Sequence, residues 1–328
     1  MKIAMIGSYG HVGVALAGLK EVPEAEVVAV APWGPADGLG EVAKVLSPRG
    51  RRYDDWPTML RQVKADVVCV FTPFAELAET ATAAVHAGSH VFMEKPLATG
   101  LAGLGRLRLA VDRAGVELAA CMAMRGEPAF RTIRKAVLAG RIGRPILASA
   151  QKSYPFGQRD EFYAARESYG GTIPWIGIHA IDFIHYCTGL DYVRVAAMAA
   201  NAAHPSRPGM EDQGGILAEL SGGGSAVIHF DYLRPWGRHQ RPWGDDRLRI
   251  AGDKGVIETI DCASAVELTT PDATERLPLE PAEDFFAAFL RSLAGSSEPP
   301  ITTAESFRMT EVALKARDAQ DNGQFVEV

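Results

Sequence analysis

Cysteines are few in this sequence, and none of them are paired. Cys69, Cys121, Cys187 and Cys262 lie far apart among 328 residues, and none forms a C-x-x-C motif. Zinc clusters and redox-active dithiols use such close pairs, so we expect neither of them and no bound metal. Isolated thiols favour a reducing cytoplasm over a disulfide framework, and we therefore expect a cytoplasmic protein.

Basic charge and long apolar runs are also lacking. The 34 Lys and Arg residues are outnumbered by 40 Asp and Glu, giving a net charge of −6. Proteins that bind nucleic acids normally show a basic excess. Gly7, Tyr9 and His11 interrupt the apolar N-terminus, where a signal peptide needs about 7–15 uninterrupted apolar residues. No run approaches the roughly 20 apolar residues of a membrane span. The sequence therefore predicts no nucleic-acid or membrane partner.

The first third of the chain alternates short β-rich runs with helical patterns. The strand-like runs are KIAMIG (2–7), EVVAVA (26–31), ADVVCVFTP (65–73), HVFMEKP (90–96) and VELAAC (116–121). Nearly continuous apolar strands that alternate with helices indicate a parallel sheet covered on both faces. We assign residues 1–122 to this α/β domain.

The rhythm changes after residue 122, where short strand-like runs are separated by glycine and proline turns. These runs are ILASAQKSY, VRVAAMAAN, GGILAEL, SAVIHFDYL, LRIAGDKGVIETI and AVELTT. They predict a second domain, residues 123–328, built on a mostly antiparallel sheet. Helical patterns cover 127–140, 282–295 and 302–320, and we expect the last two to be able to pack back on the first domain. A chain of this length has room for two domains with sizeable cores.

A glycine loop, IGSYGHVG (6–13), follows the first strand and precedes a helix. Glycines at such a turn let the backbone approach a pyrophosphate, which then sits at the helix N-terminus. The spacing is G-x-x-G-x-x-G, whereas dinucleotide sites usually have G-x-G-x-x-G. The alternative is a purely structural turn. We predict NAD or NADP as the cofactor. The contacting residues of the loop are Gly7, Ser8, Tyr9, Gly10, His11 and Val12.

The second strand does not end in the acidic residue that normally binds the ribose hydroxyls. Pro32 and Trp33 stand there instead, and no arginine replaces the acid to receive a 2′-phosphate. Asp37 comes five residues after Pro32 and can reach the ribose only if the loop folds back. Trp33 either flanks the adenine or simply packs. The preference between NAD and NADP therefore cannot be read from the sequence.

Two neighbouring strands end in polar residues. HVFMEKPLA places Glu94 and Lys95 at one strand end, and FTP places Thr72 and Pro73 at the other. Ligands of open parallel sheets bind beyond the carboxyl ends of the strands. All four residues are therefore candidate cofactor contacts, and Lys95 is a candidate catalytic residue. The alternative for Lys95 is an ordinary surface lysine.

Several motifs together resemble the Gfo/Idh/MocA oxidoreductases. They are AGSHVFMEKPLA, VFTP, MRGEPAFRTIRKAVLAGRIGRP, GG…GIHAID and LRIAGDKGVIE, and the resemblance covers nearly the whole chain. It implies an N-terminal Rossmann domain and a C-terminal α/β domain with a large open sheet. It also implies NAD(P)-dependent oxidation or reduction of a sugar, polyol or sugar derivative. The open sheet is often used for dimerisation, so we expect a homo-oligomer, a dimer or tetramer.

The resemblance maps the family's lysine onto Lys95 and its histidine onto His179. The family often has an aspartate four residues before that histidine, where this chain has Trp175. Asp182 does not replace that aspartate by position. At spacings of four and three, Trp175, His179 and Asp182 are expected to share one face of a helix.

The chemistry of these side chains suggests their roles. Histidine titrates near neutral pH and can take the proton of an alcohol, so we assign His179 as acid/base and Lys95 as hydrogen-bond donor or proton relay to the same substrate. Asp182 either orients the imidazole or pairs with an arginine of the second domain. The ring of Trp175 either covers the apolar face of a sugar or packs in the core.

Further substrate candidates lie outside this helix. Arg125 in MRGEP matches a family position near the site, and Tyr154 and Tyr163 belong to a long polar and aromatic loop, 153–171. Such loops often cover substrates. The segment YLRPWGRHQRPWGDD, 232–246, is a candidate site loop or subunit contact.

Besides metal-assisted isomerase chemistry, for which the sequence shows no cluster of ligands, two other functions stay open at this point. One is an enzyme of the same family that uses NAD in glycoside cleavage. The other is a non-catalytic nucleotide-binding sensor, which the departures at Pro32 and Trp175 allow.

Overall fold

The computed structural model describes residues 1–235 and 243–328. The segment 236–242, which carries most of the R-P-W-G loop, lies outside the described residues. The described chain divides into two compact units. The first unit is Met1–Ala123 with Asp284–Thr310, and the second is Met124–Glu283 with Glu311–Val328.

The first unit contains a six-stranded sheet in which every neighbouring pair is parallel. Its strands are β1 (Lys2–Ile6), β2 (Glu26–Ala31), β3 (Arg51–Arg52), β4 (Val67–Val70), β5 (His90–Met93) and β6 (Leu118–Ala120). Their order in the sheet is β3-β2-β1-β4-β5-β6. The predicted parallel sheet is therefore confirmed.

Nine α-helices occur in the described residues of the two units. They are α1 (Val12–Glu21), α2 (Trp56–Gln62), α3 (Leu77–His86), α4 (Leu101–Ala114), α5 (Pro128–Leu138), α6 (Arg166–Tyr169), α7 (Ile178–Thr188), α8 (Phe285–Leu293) and α9 (Thr303–Asn322). Helix α9 begins in the first unit and ends in the second.

Helix α8 joins the first unit although it lies late in the sequence. Asp284 caps its N-terminus by accepting a 2.9 Å hydrogen bond from the N–H of Ala287. Phe286 packs on Phe92 of β5, with ring centroids 4.6 Å apart. Gly18 of α1 is so close to α8 that a Cβ at that position would clash with it. The first core is thus completed by residues that follow the second sheet in the chain.

The second unit contains a nine-stranded, mostly antiparallel sheet in the order β14-β13-β12-β11-β7-β10-β9-β8-β15. The strands are β7 (Pro145–Ser153), β8 (Tyr192–Ala200), β9 (Gln213–Leu220), β10 (Gly224–Asp231), β11 (Arg247–Gly252), β12 (Val256–Ile260), β13 (Ala265–Thr269), β14 (Thr274–Leu277) and β15 (Val326–Glu327). The parallel pair is β7 with β10. This sheet confirms the predicted antiparallel architecture.

One face of this sheet is buried and the other is open. Residues of β10 alternate between buried and exposed along the strand, as expected for a sheet covered on one side. Helices α5 and α7 contact each other, and Phe130 of α5 stacks on Phe183 of α7 with centroids 4.1 Å apart.

The predicted single helix over the G-x-H-x-x-D motif is wrong in one detail. Ile173–Gly177 forms one turn of π-helix, and α7 begins only at Ile178. A π turn holds more residues than an α turn. Trp175 and His179 are therefore not related by regular α-helical spacing, whereas His179 and Asp182 are.

Among the described residues, no helix combines the length and apolar character needed to cross a bilayer.

Candidate active site

The glycine loop joins β1 to α1 at the carboxyl edge of the parallel sheet. Gly7 and Gly10 have φ angles of 78° and 65°, a region that residues with a Cβ seldom occupy. A Cβ on Gly7 would overlap the carbonyl oxygen of Phe71. That oxygen accepts a 2.9 Å hydrogen bond from the N–H of Tyr9. Glycine is therefore required at position 7 by close backbone approach.

The loop has the features that the pyrophosphate of NAD or NADP requires. It leads into the amino end of α1, where backbone N–H groups and the helix dipole favour an anion. The space beside Gly13, in the first turn of α1, is open, because a Cβ at that position would meet no atom within 4 Å. The predicted contacts Ser8 and His11 lie on this loop, and Val12 is the first residue of α1. These residues fit a dinucleotide.

Glu94, directly after β5, connects the glycine loop to Lys95. Its carboxylate is fully buried. It accepts a short hydrogen bond from the backbone N–H of His11 and lies 3.0 Å from Nδ1 of the His11 ring. Burial raises the pKa of Glu94, but the His11 ring and N–H together with the Lys95 ammonium outweigh burial and hold the pKa below its usual range. The carboxylate therefore stays charged beneath the loop.

Lys95 lies inside the first unit and not on its surface. Its relative exposure is 0%, and its backbone N–H donates to Oε1 of Glu94 at 2.8 Å. The alternative that Lys95 is an ordinary surface lysine is therefore wrong. Burial of an ammonium is costly unless it has partners, and such lysines are often functional.

The other predicted nucleotide contacts follow neighbouring strands of the same sheet. Trp33 comes after β2, and its ring meets Tyr9 edge to face with centroids 6.1 Å apart. Thr72 and Pro73 come after β4 and are buried. The structure thus places the residues predicted to bind the nucleotide at the carboxyl ends of β1, β2, β4 and β5. Their contact with a cofactor stays a prediction.

The loop after β2 folds back, which was the condition for Asp37 to reach the ribose region. The Asp37 carboxylate lies 2.6 Å from the hydroxyl oxygen of Ser8, which donates to it. The backbone N–H groups of Trp33 and Leu39 also donate to it, at 3.0 and 2.9 Å. A carboxylate is therefore present beside the glycine loop, although the position next to β2 lacks one.

His179 lies in the first turn of α7 in the second unit. It is 6% exposed, and its ring centroid is 6.5 Å from that of Phe183. Helix α7 is buried along most of its length. A largely buried imidazole is compatible with proton transfer, and that role stays a prediction.

Arg125 and Asp182 form a buried ion pair in the second unit. Nε of Arg125 lies 3.1 Å from each carboxylate oxygen of Asp182, and Nη2 lies 2.7 Å from Oδ1. Both side chains are less than 5% exposed. The structure thus shows the alternative in which Asp182 pairs with an arginine. Roles for Asp182 beside His179 and for Arg125 toward a substrate stay predictions.

Trp175 is 4% exposed and packs against Tyr163, with ring centroids 6.1 Å apart and planes at 70°. Tyr163 in turn contacts Tyr169. The π turn that carries Trp175 therefore packs on the loop that was predicted to cover the substrate. This packing is what the core alternative requires, and the sugar-platform role stays a prediction.

An aromatic cluster surrounds Arg159 in that loop. The guanidinium carbon of Arg159 lies 4.6 Å from the ring centroid of Tyr232, 5.4 Å from that of Tyr163 and 5.6 Å from that of Tyr154. Burial raises the pKa of Tyr154 and Tyr232 well above the usual value. These phenols are therefore neutral hydrogen-bonding groups and not bases.

No cluster of three His, Cys, Asp or Glu side chains suited to a metal ion occurs within residues 1–235 and 243–328.

Comparison with known proteins identifies the family. Residues 1–121 match the model described as "Oxidoreductase family, NAD-binding Rossmann fold". Residues 130–258 match the model described as "GFO/IDH/MocA C-terminal domain". The two matches together span most of the chain.

The chain belongs to the Gfo/Idh/MocA oxidoreductase family.

Relatives of this oxidoreductase are named reductases and dehydrogenases. It is 27% identical over 275 residues to the 1,5-anhydro-D-fructose reductase of Ensifer adhaerens, covering 80% of each chain. It is 24% identical over 321 residues to the myo-inositol 2-dehydrogenase of Thermotoga maritima, covering 94% of this chain and 92% of that protein. A solved structure from Thermotoga maritima superposes with a TM-score of 0.93 at 35% identity, covering 100% of both chains. The predicted family and the NAD-binding domain are confirmed.

Sequence reasoning missed Tyr232 of the aromatic cluster and Tyr169, whose ring contacts the cluster member Tyr163. Tyr169 and Tyr232 have hydroxyl oxygens 3.0 Å apart. Tyr232 directly follows β10, and the position of such a residue becomes clear only when the strand order is known. The aromatic content of the loop 153–171 was the available signal for Tyr169.

Proposed function

We propose that this oxidoreductase uses NAD to oxidise a ring hydroxyl of a sugar or polyol, or to reduce the corresponding carbonyl. The observation that carries the proposal is the link through Glu94 in the first unit. One buried carboxylate contacts both the glycine loop at His11 and the backbone of Lys95. The nucleotide-binding loop and the candidate catalytic lysine therefore belong to one polar cluster at the carboxyl edge of the sheet.

The roles of the side chains follow from their chemistry. Bound NAD supplies the hydride acceptor or donor. His179 takes the hydroxyl proton during oxidation and returns it during reduction, because an imidazole has an ordinary pKa near neutrality. Lys95 donates a hydrogen bond to the substrate oxygen and stabilises negative charge there, which a buried ammonium does more strongly than an exposed one.

The substrate class is proposed from the relatives and from the second unit. The names of two relatives refer to an anhydro-ketose and an inositol, both polyhydroxylated rings. Trp175 and Tyr163 are large rings with polar tips, a type of side chain that suits the alternating apolar and hydroxylated faces of a sugar. We propose that these side chains contact the substrate, with Tyr154 and the Arg125–Asp182 pair supporting them.

We also propose an oligomer contact on the open face of the nine-stranded sheet. Leu217 of β9 lies opposite Val227 of β10, and each is 49% exposed. Met198 of β8, on the same face, is 81% exposed. Apolar side chains clustered on one exposed sheet face favour association with a second copy.

Turnover with a substrate panel tests the proposed function. The purified chain is incubated with NAD⁺ or NADP⁺ and inositols, aldoses, anhydro-sugars or sugar acids, and the reduced-nicotinamide absorbance is followed. The reverse reaction is tested with NADH or NADPH and ketoses or inososes. We expect turnover on at least one polyol, with kcat reduced about 100- to 10,000-fold in His179→Asn. His185→Asn, a change on the same helix at a residue bonded to the carbonyl of Leu190, is the matched control.

Three other outcomes would contradict parts of this proposal. Stabilisation by NAD⁺ without turnover in either direction would support the nucleotide-binding sensor. Release of nitrophenol from a nitrophenyl glycoside in the presence of NAD⁺ would support glycoside cleavage. Full activity of His179→Asn would contradict the acid/base role of that residue.

A further inference from the structure

Dinucleotide-binding domains normally have an acidic residue at the end of the second strand that binds the ribose, and this chain has none there. Asp37 supplies a carboxylate at the same edge of the sheet. The strand β2 ends at Ala31, and the residues that follow are Pro32 and Trp33. Asp37 returns to this edge because residues 34–37 form a tight turn, in which the N–H of Asp37 donates to the carbonyl of Gly34 at 3.0 Å. Its carboxylate then contacts the hydroxyl of Ser8 in the glycine loop.

Several contacts hold the loop that carries Asp37 in one conformation. Leu39 is fully buried and has a φ of 63°, a left-handed conformation that a residue with a Cβ adopts only when its surroundings impose it. Its N–H donates to Oδ1 of Asp37 at 2.9 Å. The side chain of Asp37 is only 5% exposed. The carboxylate is thus held at a defined place beside the glycine loop.

The charges around Asp37 favour one form of the cofactor. The segment PWGPADGLG, 32–40, contains no lysine or arginine, and Lys44 is paired with Glu41 at 2.5 Å. A basic candidate on the sheet is Arg52, an exposed residue that lies opposite Val30 in the pairing of β3 with β2. The loop itself therefore offers a negative charge and no positive one.

We propose that Asp37 binds the adenosine ribose and selects NAD over NADP, in place of an acid at the end of β2. A carboxylate accepts about four hydrogen bonds, and three donors from the protein are present here, at Ser8, Trp33 and Leu39. One acceptor position is left for a ribose hydroxyl. A 2′-phosphate at the same place would put like charges side by side with little water between them.

The inference depends on the proposed function only for the place where the nucleotide binds. Dissociation constants for NAD⁺ and NADP⁺ are measured on the full chain by quenching of tryptophan fluorescence and by calorimetry. We expect the wild type to bind NAD⁺ about 100-fold more tightly than NADP⁺ or better. Asp37→Asn keeps the size of the side chain and removes its charge, so the ratio should fall about tenfold or more, mainly through tighter binding of NADP⁺.

Two control variants separate selection from loop folding. Asp54→Asn removes an exposed negative charge near β3 and should leave the ratio unchanged. Arg52→Ala should also leave it unchanged, and a selective loss of NADP⁺ binding there would identify Arg52 as a phosphate ligand and overturn the proposal. Equal weakening of both cofactors by Asp37→Asn would show that Asp37 only holds the loop.

The proposal can still be tested if Asp37→Asn does not fold. In that case the wild-type ratio decides, because equal affinity or a preference for NADP⁺ contradicts the proposal. None of these measurements needs turnover. A chain that binds NAD⁺ selectively but oxidises nothing would refute the proposed function and leave this inference intact.

Discussion

At the scale of single residues, Glu94 has the most consequences for the rest of the nucleotide-binding unit. Its carboxylate is buried next to Gly10, where a Cβ would clash with it, and it holds the N–H of His11. One acid therefore fixes the glycine loop and the backbone of Lys95 together. The conformation of the loop should depend on whether that acid is charged.

The lowered pKa of Glu94 predicts a specific dependence of stability on pH. A carboxyl group whose folded-state pKa lies below its unfolded value contributes stability above the unfolded pKa, and this contribution is lost as the pH falls through the folded pKa. We expect Glu94→Gln to lower the free energy of unfolding by about 1–3 kcal/mol at pH 7. The difference from wild type should shrink below about pH 4.

Urea denaturation between pH 3 and pH 8 measures this difference. Glu79→Gln, at an exposed glutamate of α3, is the matched control and should follow the wild type throughout. Curves for Glu94→Gln that run parallel to the wild type at every pH would show that its ionisation does not support the fold.

At the scale of elements, the Arg125–Asp182 pair fixes α7 to the chain segment that follows β6. Removing one partner leaves an uncompensated buried charge, which costs about 3–5 kcal/mol. Arg194 and Glu219 form a comparable pair on neighbouring strands, but they are 51% and 39% exposed. Breaking an exposed pair costs about 0–1 kcal/mol.

Equilibrium unfolding of Asp182→Asn and Glu219→Gln therefore makes a direct comparison. We expect a loss of about 3 kcal/mol or more in the first variant and less than about 1 kcal/mol in the second. The double variant Arg125→Met, Asp182→Leu should recover most of the loss, because it leaves no unpaired charge. Equal small losses in both single variants would mean that the buried pair is not formed in solution.

Some features of these elements could be predicted from the sequence and others could not. The glycine loop was predictable, because positive φ angles at Gly7 and Gly10 are a local requirement. The π turn was not, since Trp175 and His179 fit an α-helical spacing and the extra residue per turn leaves no pattern. Arg125 and Asp182 are 57 residues apart, so their pairing could be stated only as an alternative.

At the scale of the whole molecule, both sheets could be predicted from the sequence. The points at which some strands end and some loops fold back could not. Nearly continuous apolar strands that alternate with helices predicted the parallel sheet, and short strand-like runs separated by turns predicted the antiparallel one. The run LRIAGDKGVIETI, however, forms two strands, β11 and β12, because a turn at Asp253 and Lys254 separates them. The fold-back of Asp37 likewise depends on contacts with Ser8, 29 residues away.

The open face of the nine-stranded sheet predicts the assembly state. We expect a dimer or tetramer by light scattering coupled to size exclusion, and Leu217→Lys with Met198→Lys should shift it toward the monomer. Buried like charges at a contact are costly. Leu138→Lys, at a 61% exposed leucine of α5, is the control and should leave the mass unchanged. A monomeric wild type at micromolar concentration would contradict the proposed contact.

The central proposal is that oxidation of a polyol by this chain depends on both Lys95 and His179. The most direct test is a double-mutant cycle in kcat/KM with Lys95→Met, His179→Asn and the double variant, each first shown to be folded and to bind NAD⁺. We predict that each single change costs about 100-fold or more and that the double change costs far less than the product, as for groups that act as a unit. Losses that simply multiply, or a single variant with wild-type kcat/KM, would contradict the account.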